Sequence, residues 1–395
     1  MDEREYNVTE VRERIAKISD FLDDNGPACE SLGRLTDEAA EKLRWSGVVK
    51  MLQPREYGGD EAHPVEFFEA VLDIGTRAGS IGWVAGVVGV HPWEMAQVAP
   101  SVQEQVWGED PDTWIASPYA PMGRLKPVDG GYVCNGRWSF SSGTDHCSWI
   151  ILGALITDAD GRVAGPTAGR HIILPRSDYE IVEDSWQVIG LEGTGSKDVV
   201  ITDMFIPAER VISPEELPLN LAERGRDTAL YRMPFAIMFS GIIACGSLAI
   251  AHGALRTFVD YAGSRVDSKG SAASSNPHQL VTLGEASADI AASRVQFLNG
   301  INEIYKLAEK GLDIPASARL QTRRDQVRSV RRATNAVDQL FLHAGGAALR
   351  RDQPFQRFFR DMHAAQNHAN NAAELTYEGY GRNLFGLDVP PGVRY

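Results

Sequence analysis

The sequence predicts an α+β chain in three parts: an N-terminal α-helical domain over residues 1–112, a central antiparallel β domain over 113–215, and a C-terminal four-helix-bundle domain over 216–395. Three observations carry this expectation. Apolar residues recur at three- and four-residue spacing near the start, short β-branched runs broken by Gly, Pro and Asp begin near residue 113, and long helical patterns resume from residue 233. With 395 residues, 43% of them hydrophobic and 23% charged, the chain can bury a large core without cross-links and is too apolar to be disordered.

In order along the chain, residues 8–24, 36–47 and 64–78 read as helices, and Pro64 suits a first helical position because its missing N–H is not needed there. A very apolar stretch follows at 80–99. The segments GYVCNGRW, WIILGALI, RHIILP and DVVITDMFIP are closely spaced strands of a predominantly antiparallel sheet. A loop containing NLAERGRD leads into helical patterns at 233–265, 280–309, 316–344 and, in broken form, 355–385. SKGSAASSNP, residues 268–277, is a connection between the first two of these helices. Residues 233–255 carry no Asp, Glu, Lys or Arg and are long enough to cross a bilayer. Their small and polar members, Pro234, Gly241, Gly246 and His252 among them, suit a core helix packed on all sides instead.

The excess of 53 acidic over 39 basic residues, a net charge of -14, repels polyphosphate and anionic lipid, which disfavours nucleic-acid and membrane partners. The partner expected is a small molecule. Cys29, Cys134, Cys147 and Cys245 show no C-x-x-C or zinc spacing, and the charged N-terminus lacks the apolar run of a signal peptide, so a cytoplasmic setting is expected.

Nucleotide-loop motifs are absent. Gly193-Thr194-Gly195-Ser196-Lys197-Asp198 precedes a strand rather than a helix and reads as a turn. Ser141, Ser142, Asp145 and His146 crowd into FSSGTDH, but catalytic triads assemble from distant segments and no G-x-S-x-G elbow is present. His363 and His368, if on one helix, would point about 140° apart and could not share a metal. Arg319, Arg323, Arg324, Arg328, Arg331 and Arg332 form a basic stripe, either an ion-paired helix surface or an anchor for a cofactor phosphate.

Several stretches together resemble the acyl-CoA dehydrogenase superfamily, and more closely its offshoot of two-component flavin-dependent aromatic hydroxylases, including the branch that acts on a steroid-derived seco-phenol. They are LQPREYGG, GWVAGVVGVHPW, VWGEDP with SPYAPMG, GYVCNGRWSFSSGTDHCSW, GLEGTGSKDV, RRDQVR and QRFFRDMHAAQNHANN, in order and spanning nearly the whole chain. The resemblance implies an acyl-CoA dehydrogenase-like fold, reduced flavin (FMN as FMNH2, or FAD) supplied by a separate NAD(P)H:flavin reductase, O2 and a small aromatic substrate as reactants, and a homotetramer.

It also implies site residues. Trp138, Phe140, Ser141 and Ser142 would line the flavin ring, with Ser142 near its N5 edge, and Trp83 would cover flavin or substrate. Arg265 would bind flavin phosphate, a task suited to a guanidinium. Gly345 and Gly346 would let the backbone approach the cofactor, commonly that of a neighbouring subunit. Ala369 stands where the dehydrogenases carry their catalytic glutamate, so removal of an α-proton by that base is disfavoured. Beside it, His368 matches the hydroxylases' catalytic histidine, and an imidazole can take a phenol proton to make the ring carbon electron-rich. Leu342 replaces the dehydrogenases' glutamine before the glycine pair, which tilts the cofactor toward FMN. The alternative within the superfamily is a flavin dehydrogenase or N-oxygenase.

Overall fold

A computed structural model describes residues 8–158, 160–165, 167–266 and 273–395. Positions 268–272 of the expected connection and residues 1–7 of the N-terminal segment lie outside the described residues.

The first part comprises helices α1 (Val8–Lys17), α2 (Ser19–Leu32), α3 (Asp37–Ser46), α4 (Pro64–Arg77), α5 (Gly79–Met95) and α6 (Pro100–Trp107). Thr36 caps α3 by accepting the Ala39 N–H, and α4 starts at Pro64 as its sequence predicts. The single helix expected at 8–24 is instead two, parted at Ile18, and the second continues through Pro27 to a left-handed Gly33. Leu22, Gly26 and Cys29 are buried, so tertiary packing there outweighs the helix-breaking signal of Asn25-Gly26-Pro27. Every residue of α5 is buried, which accounts for the lack of apolar periodicity in 80–99.

The central strands are β1 (Ile115–Ala116), β2 (Gly123–Val128), β3 (Gly131–Ser141), β4 (Trp149–Ile156), β5 (Gly169–Pro175), β6 (Glu180–Val182), β7 (Lys197–Pro207) and β8 (Val211–Ile212). They form one sheet in the order β6-β7-β3-β2-β4-β5-β8, with β1 beside β4. β1 and β2 run parallel to β4 and the other pairings are antiparallel, so the sheet is mixed although mainly antiparallel. Met95, Val102, Val106 and Trp107 cover one of its faces through Ile115, Trp149, Ile151 and Ile173.

The last part contains α7 (Phe235–Gly263), α8 (Pro277–Glu309), α9 (Ala316–Ala344), α10 (Pro354–Gln366) and α11 (Glu374–Leu384). α7 is the apolar segment long enough to span a bilayer, and 78% of its most apolar window is buried against α4, α5, α9 and α10. Two arginines of the stripe are ion-paired, Arg324 with Asp325 and Arg331 with Glu374, while Arg332 donates to Gln296 and Arg319 lies over the Tyr395 ring. Arg323 departs from this pattern. It is 3% exposed and reaches across to the segment that follows α10.

Candidate active site

α10 ends at Gln366, so His363 and His368 do not share a helix; His363 pairs with Asp338 on α9 at 2.9 Å. Among the described residues no cluster of three or more metal-ligating side chains forms. The chain then enters a 3-10 turn, Ala369–Asn371, which His368 caps with its own ring: Nδ1 accepts the Asn370 N–H at 3.1 Å. A backbone N–H can only donate, so the neutral imidazole carries its proton on Nε2. Asn371, 1% exposed, holds the turn by donating to the Ala365 carbonyl at 2.8 Å and Ser247 Oγ at 3.1 Å, and Arg323 donates to the Asn370 carbonyl at 2.8 Å. The His368 ring lies 6.0 Å from the Trp83 ring, centroid to centroid. Burial first, then the charges of Arg394 and Arg323, push this imidazole down to about 4, so it is uncharged at neutral pH. Ala369 is exposed beside it.

A register shift between Trp138 and Ser141 breaks the alternation of β3 and sorts the residues expected on it and just beyond it. Trp138 and Ser141 are fully buried, and Trp138 donates its indole N–H to the Gly153 carbonyl at 2.7 Å. Both side chains therefore lie in the protein interior. Phe140 points outward, 67% exposed, with φ at 68° and its edge against Trp186. Ser142 is half-buried and carries the accessible hydroxyl. Gly143 follows at φ 73°, where a Cβ would stand 2.8 Å from Val84 of α5. Only glycine suits both the backbone and the contact, and the contact sets Ser142 against the helix that bears Trp83. On the other side Gly246 of α7 lets the Trp83 ring approach: a Cβ there would be 2.9 Å from it. Trp83 and His368 thus meet, and the residue after Ser142 packs on the same helix α5 one residue beyond Trp83.

The sequence reading missed what holds Ser142. Its Oγ lies 2.7 Å from Ser196 Oγ, which lies 2.7 Å from Thr194 Oγ1, which donates to the Leu191 carbonyl at 2.7 Å. Leu191 is itself pinned, its N–H on Asp361 of α10 at 2.6 Å, and burial raises that carboxyl to about 6. The GTGSK segment is a turn, as expected, but one whose hydroxyls face the site; the signal was the spacing of Thr194 and Ser196. Asp145 binds Lys197 at 2.6 Å and His146 meets the Leu35 carbonyl at 3.1 Å, so FSSGTDH holds no hydrolase triad.

A second missed group lies on the face of α5 that bears Trp83, about 16 Å further along. There the buried Glu94 accepts from Tyr119 and pairs with His171 at 2.6 Å. Tyr119 packs edge-on against Phe235 and Phe239 of α7, with centroids at 5.2 and 4.6 Å. An acidic residue inside a helix with no polar face was the available clue.

Arg265, Gly345 and Gly346 form a separate cluster. Arg265 donates to Tyr261 at 2.8 Å and to the Ala344 carbonyl, and a Cβ on Gly345 would meet its guanidinium at 3.2 Å. Between Gly246 at Trp83 and the end of α7 near Arg265 the helix rises about 26 Å. Within one chain the cluster therefore does not join Ser142 and His368.

The outward Phe140, the accessible Ser142 hydroxyl and the Trp83 wall fit the edge of a flavin ring, which is flat, apolar on its faces and hydrogen-bonding along its rim. Residues 242–372 match the family "Acyl-CoA dehydrogenase, C-terminal domain". The chain is 43% identical over 387 residues to a pigment production hydroxylase of Rhodococcus erythropolis, covering 98% of each. It is 40% identical over 382 residues to the flavin-dependent monooxygenase oxygenase subunit HsaA of Rhodococcus jostii strain RHA1, covering 95% of this chain and 98% of that one. The crystal structure of 3-HSA hydroxylase from Rhodococcus sp. RHA1 is similar at a TM-score of 0.91 and 39% identity, covering 96% and 98%. With likeness of this extent in sequence and in fold, the chain belongs to the flavin-dependent monooxygenase oxygenase components built on the acyl-CoA dehydrogenase fold.

Proposed function

We propose that the chain uses reduced flavin, as FMNH2, and O2 to hydroxylate a phenolic aromatic ring ortho to its hydroxyl, with a steroid-derived seco-phenol as the substrate class. Relatives in this family are the oxygenase components of a resorcinol hydroxylase and a p-hydroxyphenylacetate 3-hydroxylase, which supports phenol hydroxylation with reduced flavin from a separate reductase, here taken to be NAD(P)H-dependent. Reduced flavin, when bound, would supply the two electrons that activate dioxygen, one of whose oxygen atoms enters the ring while the other leaves as water.

The observation that supports the reading is the uncharged His368 beside Trp83, on the helix against which Gly143, the neighbour of Ser142, packs. Ser142 and Phe140 hold the flavin edge. The close packing of α5 on α7 would exclude water, and the Tyr119, Phe235 and Phe239 rings, about 16 Å along α5 from Trp83, are the apolar surface proposed to receive a substrate with more than one ring. His368 presents Nε2–H, because its Nδ1 is engaged by the backbone. In this reading its role is to donate to the oxygen of a substrate that gives up its phenolic proton to solvent on binding, which stabilises the phenolate and leaves the ortho carbon electron-rich, in place of the proton-accepting role that the resemblance implies. Ala369 offers no carboxylate for dehydrogenation. Arg265, Gly345 and Gly346 hold the phosphate end of the flavin of a neighbouring copy in a homotetramer. The four free, buried cysteines suit the cytoplasm.

The test is product analysis. The chain, a separate NADH:flavin reductase, FMN and O2 are supplied with a seco-steroid phenol, simple phenols or an acyl thioester. A catechol from the seco-steroid phenol, dependent on the reductase, is expected. Dehydrogenation of the thioester without any phenol product would reverse the assignment.

A further inference from the structure

The three hydroxyls behind Ser142 form a chain whose direction can be worked out. Two oxygens 2.7 Å apart repel unless a proton lies between them. The Leu191 carbonyl has no proton, so the Thr194 hydroxyl must donate to it. Thr194 then has none left for Ser196, and Ser196 must donate to Thr194. Ser196 in turn has none left for Ser142, and Ser142 must donate to Ser196. Thr194 and Ser196 are 1% and 4% exposed, so water is not available to either as a substitute partner. The end of the chain is held from both sides, by the Asp361 bond to the Leu191 N–H and by the Gly143 N–H on the Thr194 carbonyl at 2.9 Å. The half-buried Ser142 Oγ consequently turns only lone pairs toward the site.

We propose that Ser196 and Thr194 are positioning residues that make Ser142 an obligate hydrogen-bond acceptor, and so set the redox form of flavin the site prefers. The inference rests on the reading of Ser142 as the residue at the flavin N5 edge. Reduced flavin carries N–H at N5 and can donate to Ser142, whereas oxidised flavin has a lone pair there and would face oxygen lone pairs. The relay therefore favours the form that reacts with dioxygen, releases the spent oxidised form, and keeps the N5 proton engaged.

The experiment is anaerobic titration of the full chain with FMNH2 and, separately, with FMN, giving the ratio of the two dissociation constants. The native chain is expected to bind FMNH2 the more tightly. Thr194→Val removes the acceptor for Ser196, which can then donate to Ser142 and turn the Ser142 proton outward; the preference for FMNH2 should fall by about tenfold, near the worth of one hydrogen bond. Ser196→Ala frees the Ser142 hydroxyl to rotate and should fall between Thr194→Val and native. Thr194→Ser and Ser196→Thr keep the chain of protons and should keep the ratio. A merely structural role would weaken both forms alike, so an unchanged ratio in Thr194→Val and Ser196→Ala, each shown folded by circular dichroism, overturns the relay. Ser142→Ala separates the two levels. If it leaves both affinities untouched, the placement of Ser142 at the flavin is itself wrong; if it shifts them while the relay variants do not, only the relay is rejected.

Discussion

The tautomer of His368 decides what that side chain can do. A base needs a lone pair on the atom that meets the phenol, and the 3-10 turn has committed Nδ1 to the Asn370 N–H and left a proton on Nε2. His368→Asn retains an N–H donor, whereas His368→Ala does not. Hydroxylated product formed per reduced flavin is expected to drop on the order of a hundredfold in the alanine variant, and to stay within about tenfold of native in the asparagine variant. Equal loss in both would restore the proton-accepting role. In sequence, His368 stands out only through the resemblance, as the hydroxylases' histidine beside an Ala369 that lacks the dehydrogenases' carboxylate. Its tautomer was not, since that depends on a backbone amide two residues on. Ser141 and Ser142 were likewise indistinguishable in sequence, being adjacent and chemically identical, until the strand sent one inward.

At the scale of elements, the site is a junction of α5, the turn after β3, the Leu191–Ser196 turn and the end of α10. Helix α10 serves two of these at once: Asp361 anchors Leu191, and the His368 turn follows its last residue. The packing of Gly143 on Val84 is the tightest restraint on Ser142. Gly143→Ala combines a left-handed backbone with a clash at 2.8 Å, and should lower stability by about 2 kcal/mol and weaken flavin binding, measured by denaturant unfolding and flavin titration. Helix and strand positions were readable because their periodicities are local; α9 runs over Ala316–Ala344, the limits expected. The break at Ile18 and the parallel pairing of β2 with β4 were not, because both are set by packing against distant segments.

Across the whole molecule, burial holds three imidazoles, His91, His252 and His368, near 4, well below their unfolded value. The unfolded chain binds protons at these sites first, so their contribution is full above about pH 6.5 and is lost as pH falls toward 4, on the order of 2 kcal/mol each. Asp60 and Asp361, raised to about 6 by burial, act in the opposite sense over part of that range. His63 and His146 are shifted down by burial as well, so the histidines outnumber the two carboxyls and leave a net loss. Tm is expected to fall between pH 7 and pH 4.5, and His252→Gln, away from the site, should make the fall shallower; an equal slope in that variant would remove His252 from the balance. The separation of Arg265 and Gly345 from Ser142 along α7 has a consequence of another kind. In the proposed assignment each polypeptide would carry the grip for one end of a coenzyme and the reactive berth for the other, too far apart for a single molecule to use together, so competence would belong to the assembly: a solution dilute enough to part the copies should lose coenzyme before any copy unfolds.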